Sequence, residues 1–408
     1  MSDRSTKRET GFSLLEMTIA MALATIVLGA AVQIYIQGVQ ATWTVSQRAE
    51  LQQDFRAASN ILLKDLSLAG AGLGNGVAIA LPSTATPVMG CVQTTGTCYI
   101  NGSSVTYPTQ PPFTSGGAAY LYGLMPGYNQ GPTLLTAQGA TDVVTAAYTD
   151  NTFYLDCYTA SITSTTSVTF TLPTPVAPAT GSANCTAPGG NAGVQAANDS
   201  AVGLTAGDLI WFTFGTNNVV AEVTAVTGST AAGTVPAAGT AYTVTFAAND
   251  ALKMNQASTV TNSLASKYVA PSNSVTGFAQ RLLVISYYID NSPTPPRLMQ
   301  QVSGHTPVPV AENVVYLKFT YDLFNDTTNT PAIGCENPGS STDVCTAGSS
   351  SGLLPNQITK INIQNMAMDS TMQGPQRGTG GTGSGYQRLD LQTSVSARNL
   401  TYVNNWSN

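Results

Sequence analysis

The chain has 408 residues, enough for one large domain or two ordinary ones, so core size sets no limit. Only 9% of residues are charged and the net charge is −6, against roughly 25% charged residues in a typical soluble domain. Without clustered Lys and Arg a nucleic-acid partner is excluded, and a Ser-, Thr-, Asn-, Gln- and Gly-rich composition suits strands and turns on an extracellular surface.

Residues 1–11 are short and polar, with Lys7 and Arg8 just ahead of Gly11. Residues 12–36 are almost wholly apolar, and Glu16 is their only charge. As a helix this stretch spans about 37 Å, enough for a hydrocarbon core of about 30 Å. Basic residues ahead of it favour a cytoplasmic N-terminus. A secretory signal would end in a small-residue cleavage site, whereas here the apolar stretch runs on without a break. Leu51, Phe55, Ala58, Leu62, Leu66 and Ala69 follow at steps of three and four, one face of a helix. Arg48, Glu50, Asp54, Arg56, Lys64 and Asp65 are assigned to its polar side. No proline occurs between residues 12 and 80. The pattern predicts a single helix over about 12–69, about 87 Å long, stopped by the glycine-rich run 70–76.

Glu16 is the informative residue. A lone carboxylate inside a span costs roughly 2.5–3.5 kcal/mol on insertion scales, so it needs a partner. A cut after Gly11 would create a cationic amine on Phe12, one helical turn away, in the same chain or a neighbour. The alternative is an ordinary single-span anchor with a glutamate at the membrane edge.

Beyond residue 76 the texture turns to short β-prone runs between Gly, Pro, Asn and Ser. Strands are predicted over 142–148, 167–172, 208–214, 219–226, 241–246, 282–289, 314–321, 357–366 and 387–397. Alternation such as Lys360-Ile361-Asn362-Ile363-Gln364 suits sheets with one wet face. Residues 116–139 and 173–201 read as loops and 374–385 as a flexible glycine-rich segment. Six cysteines fall into neighbouring pairs, Cys91 with Cys98, Cys157 with Cys185 and Cys335 with Cys345. With an export signal they read as disulfides, although six cysteines allow 15 connectivities. A zinc site is disfavoured, since there is no CxxC and a single histidine, His305, far from any cysteine.

Catalytic patterns are few. A Ser-His-Asp or Cys-His arrangement would depend entirely on His305, which reads as an exposed turn residue beside Pro307. Asp322, Asn325 and Asp326 offer oxygens for Ca²⁺, but without EF-hand spacing they read as a polar turn. No metal, cofactor or catalytic residue is assigned, and the chain is not expected to be an enzyme.

The run Lys7-Arg8-Glu9-Thr10-Gly11-Phe12-Ser13-Leu14-Leu15-Glu16 resembles the prepilin processing site of type IV pilins and type II secretion pseudopilins. The resemblance implies cleavage by a prepilin peptidase between Gly11 and Phe12, N-methylation of Phe12, and a role for Glu16 in methylation and filament docking. Many major pilins carry a proline near the middle of this helix; its absence here fits a minor pilin or pseudopilin. The helix end, 57–70, is similar to PilW-type minor pilins, as are Gly207-Asp208-Leu209-Ile210, Val310-Ala311-Glu312-Asn313-Val314 and the closing Thr393-Ser394-Val395-Ser396-Ala397-Arg398-Asn399. Of these, Gly207-Asp208 reads as a turn and Arg398-Asn399 as the end of a last strand.

The expected fold is therefore α+β and pilin-like: leader peptide 1–11, membrane and filament-core helix 12–36, amphipathic continuation 37–70, and a β-rich extracytoplasmic head 71–408. Implied partners are other minor and major pilins, prepilin peptidase and, before assembly, the inner membrane, with the head in the periplasm and later on a cell-surface pilus. The expected role is priming or capping of a type IV pilus. The alternatives are a large pseudopilin of a type II secretion system, or a tip adhesin or binding module.

Overall fold

A computed structural model describes residues 13–73, 79–82, 91–92, 97–98, 114–115 and 118–401, apart from 154, 173–194, 215–216, 229–235, 249, 251, 253, 268–274, 293, 341 and 371–387. The predicted helix is one continuous element, α1 (Leu14–Leu68). Two compact units divide the chain, and the boundary falls within α1 between Gln53 and Asp54. In the first unit the apolar residues from Leu14 to Val45 point outward and are exposed. This is a helix long and apolar enough to cross a membrane.

In the second unit the predicted apolar face is buried: Phe55, Ala58, Leu62, Leu66 and Ala69 are all below a tenth exposed. Each fully buried Leu or Phe contributes roughly 1.5–3 kcal/mol. One residue departs from the predicted polar side. Asp65 is buried at 6% exposure, for a reason given below. The helix stops where expected. Gly70 takes φ +80°, a left-handed conformation that side chains resist. A side chain at Gly123 would meet the Cα of Gly70 at 2.6 Å, so the two backbones approach as only glycines permit. The departing chain is stitched to a strand edge by Gly70 N–H to the Ala147 carbonyl (2.8 Å) and Thr149 N–H to that of Ala71 (2.9 Å).

The head is built from antiparallel strands. Five short ones come first: β1 (Ile79–Ala80), β2 (Cys91–Val92), β3 (Thr97–Cys98), β4 (Thr114–Ser115) and β5 (Ala118–Leu121). Then follow β6 (Leu124–Gly127), β7 (Val143–Thr149), β8 (Thr159–Ser164), β9 (Ser167–Thr171), β10 (Leu209–Phe214), β11 (Asn217–Glu222), β12 (Ala225–Gly228) and β13 (Ala241–Thr245). The last seven are β14 (Val275–Asp290), β15 (Arg297–Val302), β16 (Val308–Glu312), β17 (Val314–Asn325), β18 (Thr330–Cys335), β19 (Ile358–Asp369) and β20 (Arg388–Ser396).

The 16-residue β14 is the spine. Its first part pairs with β8 and β10, and its second with β7 and β15. One strand thereby joins two sheet segments, each with its own core. β10 shows how: Ile210 and Phe212 enter a cluster with Phe170, Tyr242 and Phe246. Leu209 and Trp211, on its other face, enter one with Leu121, Leu282 and Tyr288, as the two-residue period of a strand requires. A four-stranded sheet, in the order β18-β17-β19-β20, completes the head. In β19 Ile361 and Ile363 are buried while Lys360 and Gln364 are exposed, the alternation read from the sequence.

The architecture is thus α+β and pilin-like, a long N-terminal apolar helix followed by an antiparallel β-rich head. Three readings are corrected. Arg398-Asn399, read as the end of a last strand, instead opens a short helix over Arg398–Thr401, after β20 has ended at Ser396. Residues 116–139, read as loop, contain β5 and β6. β6 carries Pro126 and pairs only with β7, so it lies at an edge where a strand tolerates the missing N–H. The predicted strand 219–226 is two, β11 and β12, split at Val223 and Thr224, whose N–H groups reach the Asp208 and Thr245 carbonyls. The glycine-rich segment 374–385 lies outside the described residues.

Candidate functional site

Gly11 and Phe12 lie outside the described residues, which begin at Ser13, the second residue after the predicted cut. Ser13 precedes the first helical residue, and its Oγ accepts the Glu16 N–H at 3.2 Å. In return the Glu16 carboxylate accepts the Ser13 N–H at 3.0 Å through Oε2. This reciprocal pair is a capping box, which satisfies two of the N–H groups a helix start leaves open. The Ser-x-x-Glu spacing was readable in the sequence, and it gives Glu16 a local partner besides the expected amine. A carboxylate in the first turn also lies favourably at the positive end of the helix dipole. Changing Ser13 to Ala should therefore loosen the first turn at a cost of about 1 kcal/mol. Amide exchange at Leu14–Glu16 of the chain in micelles should quicken, and Ser13→Thr should restore slow exchange.

Three buried polar clusters organise the head. In the first, Asp65 on α1 accepts hydrogen bonds from the Tyr287 hydroxyl (2.6 Å) and Gln300 Nε2 (2.8 Å), with Tyr148 farther off at 3.5 Å. Gln300 Nε2 also donates to the Tyr287 oxygen at 2.7 Å. Burial, and then the Asp65 charge, push the Tyr287 and Tyr148 phenols well above their ordinary range. The phenols therefore stay protonated and donate to Asp65, while the Tyr287 oxygen also accepts from Gln300.

In the second, Arg281 on β14 forks onto Asp150 through Nε (2.6 Å) and Nη2. Its Nη1 donates to the Val202 and Gly203 carbonyls at 3.1 and 2.9 Å and lies 3.8 Å from Asp208. The guanidinium also covers the Phe153 ring at 5.3 Å. Asp208 in turn contacts His305 Nε2 at 2.8 Å. His305 is therefore not the exposed turn residue the sequence suggested; it is partly buried and bound to an aspartate 97 residues earlier. The neighbouring Ser303 hydroxyl is held at the β14 backbone by Val284 N–H and the Leu282 carbonyl, both at 3.3 Å. The Gly207-Asp208 turn is confirmed in position: Gly207 has φ +99° and its carbonyl accepts the Gly304 N–H at 2.8 Å. Together these contacts tie the His305 loop to the start of β10.

In the third, Asp142 accepts from Lys318 Nζ (2.7 Å), Asn129 N–H (2.8 Å) and Phe319 N–H (2.9 Å). Lys318 also reaches Asn129 Oδ1 at 2.6 Å and sits 4.1 Å from the Tyr128 ring centre. The group clamps the start of β7 to β17. Burial pushes the Asp142 carboxyl up to about 6, against the pull of Lys318 and the two N–H donors. Because its folded value lies above its unfolded one, its contribution to stability is complete below the unfolded value near 3.8 and is lost as pH rises through about 6. Between pH 6 and 4 this residue should therefore favour the fold increasingly, opposite to an ordinary paired carboxylate. Urea midpoints of the wild type and Asp142→Asn, compared across that window, should diverge with that sign; a constant offset would contradict it.

Cys335 and Cys345 are joined by a disulfide. Cys91 stands opposite Cys98 in the β2–β3 pair. Cys157 is disulfide-bonded, and Cys185 lies outside the described residues. Asp343 comes within 4.8 Å of Cys335 and Cys345, but both sulfurs are spent in their bond and leave no thiolate for a metal. Asp322 Oδ1 accepts Gly334 N–H (2.9 Å) and Asn362 Nδ2 (3.1 Å), while Asn325 Oδ1 caps the turn at Thr327 and Thr328. These oxygens serve the sheet and its turn.

With this geometry in view, the comparison with known families bears on the helix start. Residues 6–32 match the family model of the prokaryotic N-terminal methylation motif. The match supports a type IV pilin-like protein, pilin or pseudopilin, and suggests a structural subunit rather than an enzyme. It implies processing by prepilin peptidase and assembly with other pilins. No curated protein and no solved structure gives a significant match.

Proposed function

We propose that this chain is a minor pilin of the PilW type that takes part in priming or capping a type IV pilus. The methylation motif over residues 6–32, opening a helix whose apolar residues are exposed from Leu14 to Val45, carries the proposal. Prepilin peptidase cuts between Gly11 and Phe12, and Phe12 is then N-methylated. Before assembly the apolar helix anchors the chain in the inner membrane, with the head in the periplasm. In the filament the same surface meets the helices of neighbouring subunits, and Glu16 pairs with a Phe12 amine during docking. One hydrophobic segment thus serves two environments without refolding, since both are apolar.

Deleting the chain should reduce or abolish surface pili, with restoration by the wild type but not by Glu16→Ala. Membrane insertion of Glu16→Ala should be intact, because the substitution removes a cost of insertion. Unchanged piliation in the deletion, with loss of exoprotein secretion instead, would assign the chain to a secretion pseudopilus.

A further inference from the structure

The charge pattern along α1 does not end where the apolar span ends. Residues 17–47 contain no Asp, Glu, Lys or Arg, a run of 31 residues bounded by Glu16 and Arg48. As a helix it is about 46 Å long, close to the 40–45 Å of a bilayer with its headgroup layers, whereas residues 14–36 match the hydrocarbon core alone. The outer part of the run has the composition of an interface. Gln37, Gln40, Thr42, Thr44, Ser46 and Gln47 are polar without charge. Thr42 and Thr44 donate their hydroxyls back to the Gly38 and Gln40 carbonyls at 2.9 and 2.8 Å, so these groups need no water. Tyr35 and Trp43 are 72% and 58% exposed, and Tyr and Trp are the residues enriched where acyl chains give way to headgroups.

Trp43 lies about 39 Å along the helix from Met17, at the depth of the far headgroup layer. We infer that Trp43 is a lipid-interface anchor: before assembly its indole sits among the phospholipid headgroups and ester groups of the outer face, with Arg48 as the first charge beyond it. The inference rests on the membrane-anchor reading and extends it, for the bilayer then holds the helix through Gln47. It also fixes the depth of the helix, because the indole resists both the hydrocarbon core and open water.

The test uses the full chain in vesicles of phosphatidylcholine and phosphatidylglycerol bearing nitroxide labels at headgroup, shallow acyl or deep acyl positions. The signal of Trp43 is the emission of the wild type minus that of Trp43→Phe, an exposed position where the substitution leaves the head untouched. The expected result is a blue-shifted component quenched most by headgroup and shallow labels and protected from acrylamide. Quenching by acrylamide alone would place the indole in water, and protection from both quenchers would place it against another subunit. Strongest quenching by the deep label would shift the helix register. Each of these overturns the anchor while leaving the membrane reading intact. Failure of the chain to associate with vesicles overturns both.

Discussion

Replacing Arg281 with alanine is expected to destabilise the head by about 3–5 kcal/mol, the cost of leaving buried carboxylates without their cation. Asp150 and Asp208 have side chains only 3% and 8% exposed, and the guanidinium serves both, along with two carbonyls and an aromatic face. A stable domain has only about 5–15 kcal/mol in hand, so this is a large share of it. Arg281→Lys should recover part of the loss, since it restores the charge but not the planar fork. Combining Arg281→Ala with Asp150→Ala should cost less than the sum of the single changes, because the second removes the charge the first had stranded. Urea unfolding of the full chain in detergent reads all four variants, and strict additivity would show that the pair is not the unit described here.

Asp65→Ala is expected to cost about 2–4 kcal/mol, through buried donors left without an acceptor. The loss falls on Tyr287 and Gln300, whose hydrogen bonds to Asp65 are 2.6 and 2.8 Å. Asp65→Asn keeps one acceptor oxygen and should cost less. Both changes act where α1 meets the sheet, so proteolysis near Leu62–Leu68 should report the loss along with the unfolding midpoint. A midpoint equal to wild type in Asp65→Ala would mean the carboxylate is dispensable at this contact.

These two residues mark the boundary of what the sequence discloses. The buried face of α1 was legible because Phe55, Ala58, Leu62 and Leu66 repeat at the helical period, and because no proline interrupts them. β9, β13 and β19 were legible through alternation. Asp65 was not, since a carboxylate among helical charges reads as solvated, and its partner Tyr287 is 222 residues further on. Arg281 and Asp150 are 131 residues apart, joined only by the pairing of β7 with β14. His305 was misread for the same reason: its aspartate arrives from the start of another strand. β15 and β16, with Pro309 and a register shift between Leu298 and Met299, lack a clean two-residue period. The helix start was the opposite case. Ser13 and Glu16 stand three apart, so the capping box is a purely local pattern and the motif around it is local too.

Prepilin processing at that start shows in the mass of the mature N-terminal peptide. The chain isolated from membranes of cells with an active prepilin peptidase should begin at Phe12 and carry one added methyl group on its amine. A mature chain beginning at Met1, Ser2 or any residue other than Phe12 would contradict it.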